Sequence, residues 1–271
     1  MLKRAITGVV LVTVLVVVLL LMPAWCSGVL LSVMVAIAAE ELMKTTGLVD
    51  NPHLLGGAVV TAVNVVWWCF YGMQYPWALT VLLVFVALCF AQLLRSHGQL
   101  PFQQVAVTAV AGILIPFLLS ALVRIRIMEN GVYWIAAPFV MAFLPDVGAY
   151  FVGCAIGKHK LCPNISPKKT VEGLFGGFLG GIVGMLVYAL ILQKFFGFTP
   201  NYLFAAIYGV IGAGAATFGD LMFSVIKRQV GIKDYGKLLP GHGGILDRFD
   251  SVTLVAPVAE LLLLAIPFVV K

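Results

Sequence analysis

The chain has 271 residues, only 10% of them charged, and a mean hydropathy of +1.09. Soluble proteins average about 25% charged residues, so a soluble globular domain is excluded. The formal net charge of +6 reads mostly as a topological signal, with a share left for anionic substrates or lipids.

Apolar runs of about 20 residues recur along the chain, each long enough to cross a bilayer core as a helix. They do not alternate polar and apolar, which argues against a β-barrel. The fold class expected is therefore all-α, a polytopic integral membrane protein of about nine transmembrane helices. The spans are read at 4–22, 25–45, 54–73, 76–95, 102–123, 132–153, 172–193, 202–226 and 251–270. A cytoplasmic N-terminus leaves only Arg124, Arg126, Lys194 and Lys271 outside, out of 17 Lys and Arg. Basic residues favour the cytoplasmic side, so this orientation is preferred.

Met1 to Met22 looks like a signal peptide, with Lys3 and Arg4 before an apolar run. No small-residue cleavage site follows, so an uncleaved first span is expected. Glu40 and Glu41 end the second span, and Lys44 stands one helical turn beyond Glu40. The simplest reading is a helix-end ion pair, although carboxylates in apolar runs are costly. Trp67, Trp68, Tyr71, Tyr75 and Trp77 mark an interfacial aromatic belt. His97 reads as a solvated loop residue. The five cysteines show no C-x-x-C spacing and read as small apolar side chains.

The second half carries the chemistry. Asp146 lies in the apolar run AFLPDVGAYFVG, and a carboxylate at such a place needs a partner, a metal or water. Gly153-x-x-x-Gly157-Lys158 is one residue too short between its glycines for a P-loop, and no Ser or Thr follows the lysine. In ISPKKTVEG, Ser166 is expected to cap a helix that begins at Pro167. Lys168 and Lys169 would then oppose the helix dipole, a conflict an anion would relieve. Small-residue ridges at Gly173, Gly177, Gly181 and at Gly176, Gly180, Gly184 allow close helix packing. Asp220 follows another small-residue face and shares a helix with Ser224 and Lys227.

The stretch SVIKRQVGIKDYGKLLPGHGGILDRFD, residues 224–250, concentrates charge in an otherwise apolar chain. Its Gly241-His242-Gly243-Gly244 run can bring backbone N–H groups close to an anion. Asp247 and Asp250 stand at i,i+3 and share a face if the segment is helical. Carboxylates beside Lys227, Arg228, Lys233 and Arg248 suit a divalent metal that holds a phosphorylated substrate. Glu260, deep in the last span, has no basic neighbour in sequence.

This stretch resembles the signature of the phosphatidate cytidylyltransferases. The match runs through Ser224, Lys227, Arg228, Lys233, Asp234, Leu239, Pro240, His242, Gly243, Gly244, Asp247, Arg248 and Asp250. Asp146, Ala149, Tyr150, Gly153, Ser166, Pro167, Lys168, Lys169, Thr170, Glu172 and Gly173 match a second familiar segment. The resemblance is specific over residues 140–256. Before that it extends only to a similar pattern of spans.

The resemblance implies transfer of CMP from CTP to phosphatidate, giving CDP-diacylglycerol and pyrophosphate. The hard carboxylate oxygens of Asp220, Asp247 and Asp250, with Asp146 as a fourth candidate, suit Mg²⁺, and the resemblance leaves room for a second cation. Asp220, Asp247 and Asp250, with Lys227 and Arg248, are the candidate catalytic residues. Asp146, Ser166, Lys168, Lys169, Ser224, Arg228, Lys233, His242, Gly243 and Gly244 are the candidate substrate-binding residues. Residues 1–130 would be N-terminal transmembrane helices, and 131–271 a catalytic transmembrane region with cytoplasmic motif loops. The expected setting is the inner (plasma) membrane with the site facing the cytoplasm. The expected partners are the two substrates and the bilayer, with no nucleic acid and with a homodimer left open. Two alternatives stay open: a CTP-dependent lipid kinase, and an anion transporter with a basic vestibule. A CDP-alcohol phosphotransferase is disfavoured, because its D-G-x-x-A-R run is absent.

Overall fold

The computed structural model describes residues 2–239, 241 and 243–270, with side chains between 8 and 269. The chain is an all-α polytopic membrane protein that divides into two compact units. One unit comprises Met1–Glu129 and Gln229–Phe249. The other comprises Asn130–Arg228 and Asp250–Lys271.

The first unit opens with α1 (Leu2–Val16) and a π-helical turn, Val17–Leu21. Helix α2 (Ala24–Glu40) ends in a second π-helical turn, Glu41–Thr45. Helix α3 (Pro52–Phe70) starts where the Asn51 side chain accepts from the amides of His53 and Leu54, with Pro52 at the first helical position. Then come α4 (Tyr75–Arg95) and α5 (Phe102–Ala109). A π-helical turn, Val110–Leu114, leads into α6 (Ile115–Leu119) and α7 (Ala121–Ile127).

Two basic residues at the end of α7 have structural partners. Arg124 is buried, stands 4.7 Å over the Phe117 ring and donates to the Phe117 carbonyl at 3.2 Å. Arg126 donates to the carbonyls of Leu19 and Met22 at 2.8 and 3.0 Å. It thereby satisfies acceptors that the end of the first apolar helix leaves without an intrahelical donor. Trp67, Tyr71 and Trp77 stack in series, at 6.0 and 5.8 Å between ring centroids, as the aromatic cluster read from the sequence.

The second unit begins with α8 (Gly131–Trp134) and α9 (Ala137–Ile156). A short antiparallel hairpin follows, β1 (Lys160–Cys162) and β2 (Ser166–Thr170), with Lys160 opposite Thr170 and Cys162 opposite Ser166. Next are α10 (Val171–Phe196), β3 (Thr199–Pro200) and α11 (Tyr202–Gln229). The last elements are α12 (Leu246–Ala265) and β4 (Val269–Val270), the latter paired with β3.

Helices α9 and α10 pack along their length. The glycine ridge makes this possible: a Cβ at Gly180 would meet the Leu144 carbonyl oxygen at 2.6 Å. On the other face, Gly181 lies against the Gly209 backbone of α11. The closeness of the three backbones comes from residues without side chains.

Seven helices of the described residues are long and apolar enough to cross a membrane. They are Ala24–Thr45, Pro52–Phe70, Tyr75–Arg95, Phe102–Ile127, Gly131–Ile156, Val171–Phe196 and Tyr202–Gln229. Gly8–Leu21 is a shorter apolar helix. Helix α12 has a span's length but carries Asp247, Arg248, Asp250 and Glu260.

Candidate active site

The sequence places a helix start at Ser166 and Pro167, and the structure corrects this. Residues Ser166–Thr170 form strand β2, and α10 begins at Val171. Thr170 is the cap: its hydroxyl oxygen accepts from the Gly173 amide at 3.0 Å. Pro167 suits either state, because its fixed φ is close to that of an extended strand edge. Pairing with Lys160–Cys162 decides for the strand. Lys168 and Lys169 therefore project from a strand that leads into the helix.

Glu172 fixes the base of this hairpin. Its carboxylate accepts from the amides of Lys158 and His159 at 3.1 and 3.2 Å, and pairs with His159 Nδ1 at 2.6 Å. At the turn, Arg228 Nε donates to the Ile165 carbonyl at 3.1 Å. One of the candidate cations is thus used to hold the hairpin.

Between the hairpin and α9, α10 and α11 lies a cavity of about 530 Å³. Its polar lining includes Asp146, Tyr150, Lys160, Lys168, Lys169, Thr170, Thr217 and Asp220. Four residues singled out from the sequence thus meet here: Asp146, Lys168, Lys169 and Asp220. Lys169 Nζ lies 2.5 Å from Asp220 Oδ2, with each side chain about one quarter exposed (24% and 25%). Asp146 is within electrostatic range of both. Ser224 Oγ donates to Asp220 Oδ1 at 3.4 Å, a long hydrogen bond one turn along α11. Asp220, a candidate metal ligand from the sequence, is paired with Lys169, brought from another element. Lys160, Tyr150 and Thr217 were not singled out as site residues. Lys160 carried no signal beyond its charge.

Asp250, in the same unit, is buried and accepts from the Ser251 amide at 2.7 Å. Asp220 and Lys227 both lie within electrostatic range of it. The α11 and α12 backbones are close here, since a Cβ at Gly219 would meet the Asp250 carbonyl oxygen at 3.0 Å.

The remaining candidates fall in the first unit. Lys233 and Arg248 are exposed. Pro240 and His242 lie outside the described residues. The Leu239 amide donates to the Gly243 carbonyl at 2.9 Å and closes the glycine turn, with Gly243 at φ +84°. That left-handed value is one that glycine adopts without steric cost. Asp247 begins α12 and is buried. Its Oδ2 accepts from the amides of Tyr235 and Gly244 at 2.7 and 3.0 Å. One carboxylate oxygen expected to face a metal is thus bonded twice to backbone.

Sequence reasoning left Glu41 without a role. It is buried, and each of its oxygens accepts one amide, Ile245 N at 3.1 Å and Leu246 N at 2.9 Å. The available signal was a carboxylate in an apolar run. Its neighbour Glu40 is exposed and pairs with Lys44 at 3.3 Å, as read from the sequence. Among the described residues, no group of three or more His, Cys, Asp or Glu side chains is gathered as metal ligands would be.

The model of the cytidylyltransferase family matches residues 2–266, and the chain belongs to that family. It is 35% identical over 245 residues to a phosphatidate cytidylyltransferase of Bacillus subtilis, covering 87% of each chain. It is 44% identical over 138 residues to the Staphylococcus saprophyticus protein of the same name, covering 51% of this chain and 52% of that one. A Staphylococcus haemolyticus relative, also a phosphatidate cytidylyltransferase, is 42% identical over 136 residues. The chain thus spans about half the length of the staphylococcal relatives it matches.

Proposed function

We propose that this chain transfers CMP from CTP to phosphatidate, giving CDP-diacylglycerol and pyrophosphate. The observation that carries the reading is the hairpin cavity, where Lys168 and Lys169 stand with Asp146 and Asp220. Family membership and the names of the relatives support the same reaction.

The phosphate monoester oxygen of phosphatidate attacks the α-phosphorus of CTP. The bond to the β-phosphate breaks, and pyrophosphate leaves with its electron pair. The monoester is already ionised at neutral pH, so no strong general base is needed. The obstacle is repulsion between two anions, and positioning with charge neutralisation removes it. Lys168, Lys169 and Lys160 supply positive charge on one wall of the cavity.

Asp146, Asp220 and Asp250 are not gathered as a ligand set among the described residues, but their hard carboxylate oxygens are of the kind that Mg²⁺ takes. Lys169 now supplies the counter-charge at Asp220. Mg²⁺, when bound, would neutralise phosphate charge beside these carboxylates, and a second cation belongs to the same reading. The site is read as lying on the cytoplasmic face of the inner (plasma) membrane from the basic-residue count, since a cytoplasmic N-terminus leaves only Arg124, Arg126, Lys194 and Lys271 outside.

The test uses the purified chain with labelled CTP, phosphatidate and Mg²⁺, with and without EDTA. CDP-diacylglycerol and pyrophosphate should form, and EDTA should stop them. CDP with a phosphorylated lipid would instead mean kinase chemistry. Anion flux in sealed vesicles without turnover would mean transport.

A further inference from the structure

The chemistry just proposed uses cations and carboxylates, but the residue that holds the glycine turn is neither exposed nor inside the motif. We infer that Glu41 is a positioning residue for the 235–247 segment, and through it for Asp247. The inference rests on the proposed reaction for its effect on turnover, and on geometry alone for the contact itself.

The first turn of a helix presents amide donors that no carbonyl of its own helix can satisfy. At α12 the Glu41 carboxylate meets this need from far away in sequence. Each oxygen takes one amide, Ile245 at 3.1 Å and Leu246 at 2.9 Å. A negative charge there also complements the helix dipole. The carboxylate is enclosed by glycines. A Cβ at Gly236 would meet its carboxyl carbon at 2.8 Å, and a Cβ at Gly244 would collide with the same group. Asp247 grips the segment from the other side through Tyr235 and Gly244. The two carboxylates therefore share one job: they fix Tyr235 and Gly244–Leu246 so that the Asp247 side chain has one orientation.

Glu41→Gln keeps one acceptor and turns an N–H₂ toward the second amide. Glu41→Ala removes both acceptors. Kinetics and amide exchange of residues 243–249 are measured for both, with Glu40→Gln as the neighbouring control. In Glu41→Gln, kcat should fall roughly 30-fold while KM for CTP and phosphatidate stays within about threefold, with a larger fall in Glu41→Ala. Exchange at 245–246 should quicken in both Glu41 variants and not in Glu40→Gln. The decisive arm is Glu41→Gln combined with Asp247→Asn. If Glu41 acts through Asp247, the double variant turns over no more slowly than Asp247→Asn alone.

Additive losses, or unchanged exchange at 245–246, overturn the inference. So does failure of both Glu41 variants to insert and fold, since Glu41 would then be a stability residue only. If the wild-type chain does not turn over CTP and phosphatidate, the reaction is wrong, while the exchange measurement still decides whether Glu41 holds the turn.

Discussion

Asp220 and Asp247 carry the same functional group and use it in opposite ways. Asp220 lines a cavity, is a quarter exposed, and is paired with the flexible ammonium of Lys169. Asp247 is buried and accepts two backbone amides of its own unit. A side-chain ion pair at a cavity wall can be exchanged: an incoming phosphate competes for the lysine, and a cation for the aspartate. A carboxylate bonded to main chain cannot be exchanged without undoing the turn it holds. The first arrangement suits a group that changes partners during a reaction. The second suits a group that must stay where it is.

The strongest way to break this comparison is Asp220→Asn. The amide oxygen still accepts from Lys169, so the melting midpoint in detergent should move by less than about 1 kcal/mol equivalent. Turnover of CTP should fall about 100-fold or more, which is about 2.7 kcal/mol of transition-state stabilisation. Near-normal kinetics would return Asp220 to a structural ion pair.

Asp247→Ala sharpens the other side. It strands two amides in a buried segment, and hydrogen bonds to a charged group contribute about 1.5–3 kcal/mol each in mutational series. A stability loss of about 2 kcal/mol is expected after partial rehydration of the turn. A lower midpoint, together with faster amide exchange at Tyr235 and Gly244, is the outcome that separates Asp247 from Asp220. An unchanged midpoint would mean that the two aspartates are not used differently.

The double change Lys168→Gln with Lys169→Gln tests whether the hairpin lysines serve substrate or only topology. Insertion should be normal, and turnover should fall roughly 20-fold, about 1.8 kcal/mol. Normal kinetics would leave them as positive-inside residues.

Much of the frame was legible in the sequence. Seven of the nine spans read from apolar length agree with spanning helices to within a few residues, as at 76–95 against Tyr75–Arg95, while 4–22 falls on a shorter apolar helix and 251–270 on α12, which runs from Leu246 to Ala265. Such runs carry their own evidence, because in lipid a helix is the one open structure that satisfies every backbone group. The glycine ridges of α10 were also readable, since close packing in lipid has a local residue signature. Three features were not. Ser166 and Pro167 satisfy the local rule for a helix start, yet pairing with Lys160–Cys162 makes them a strand. Lys169 meets Asp220 from another element, and no local rule gives that pair. Glu41 caps a helix that begins more than 200 residues later in the chain. What escaped was the choice of partner, which depends on tertiary placement. The residue types themselves were visible.

The smallest effect concerns Thr170, where the hairpin ends and α10 starts. Its hydroxyl is the only part of the side chain that valine lacks, so Thr170→Val keeps shape and β-branching. The loss is the bond from the Gly173 amide, at 3.0 Å. An N-cap bond of this kind contributes about 1 kcal/mol. Valine also prefers strand geometry, which β2 already provides at this position. The substitution should therefore lower stability by about 1 kcal/mol, read as a modest fall in melting midpoint. Thr170 lies on the cavity wall, so turnover is the discriminating measurement. If it only caps the helix, kcat well below the midpoint should change by less than about threefold. A large loss of turnover with an unmoved midpoint would make the hydroxyl a substrate contact. The hairpin would then present the reacting phosphates with more than its lysines.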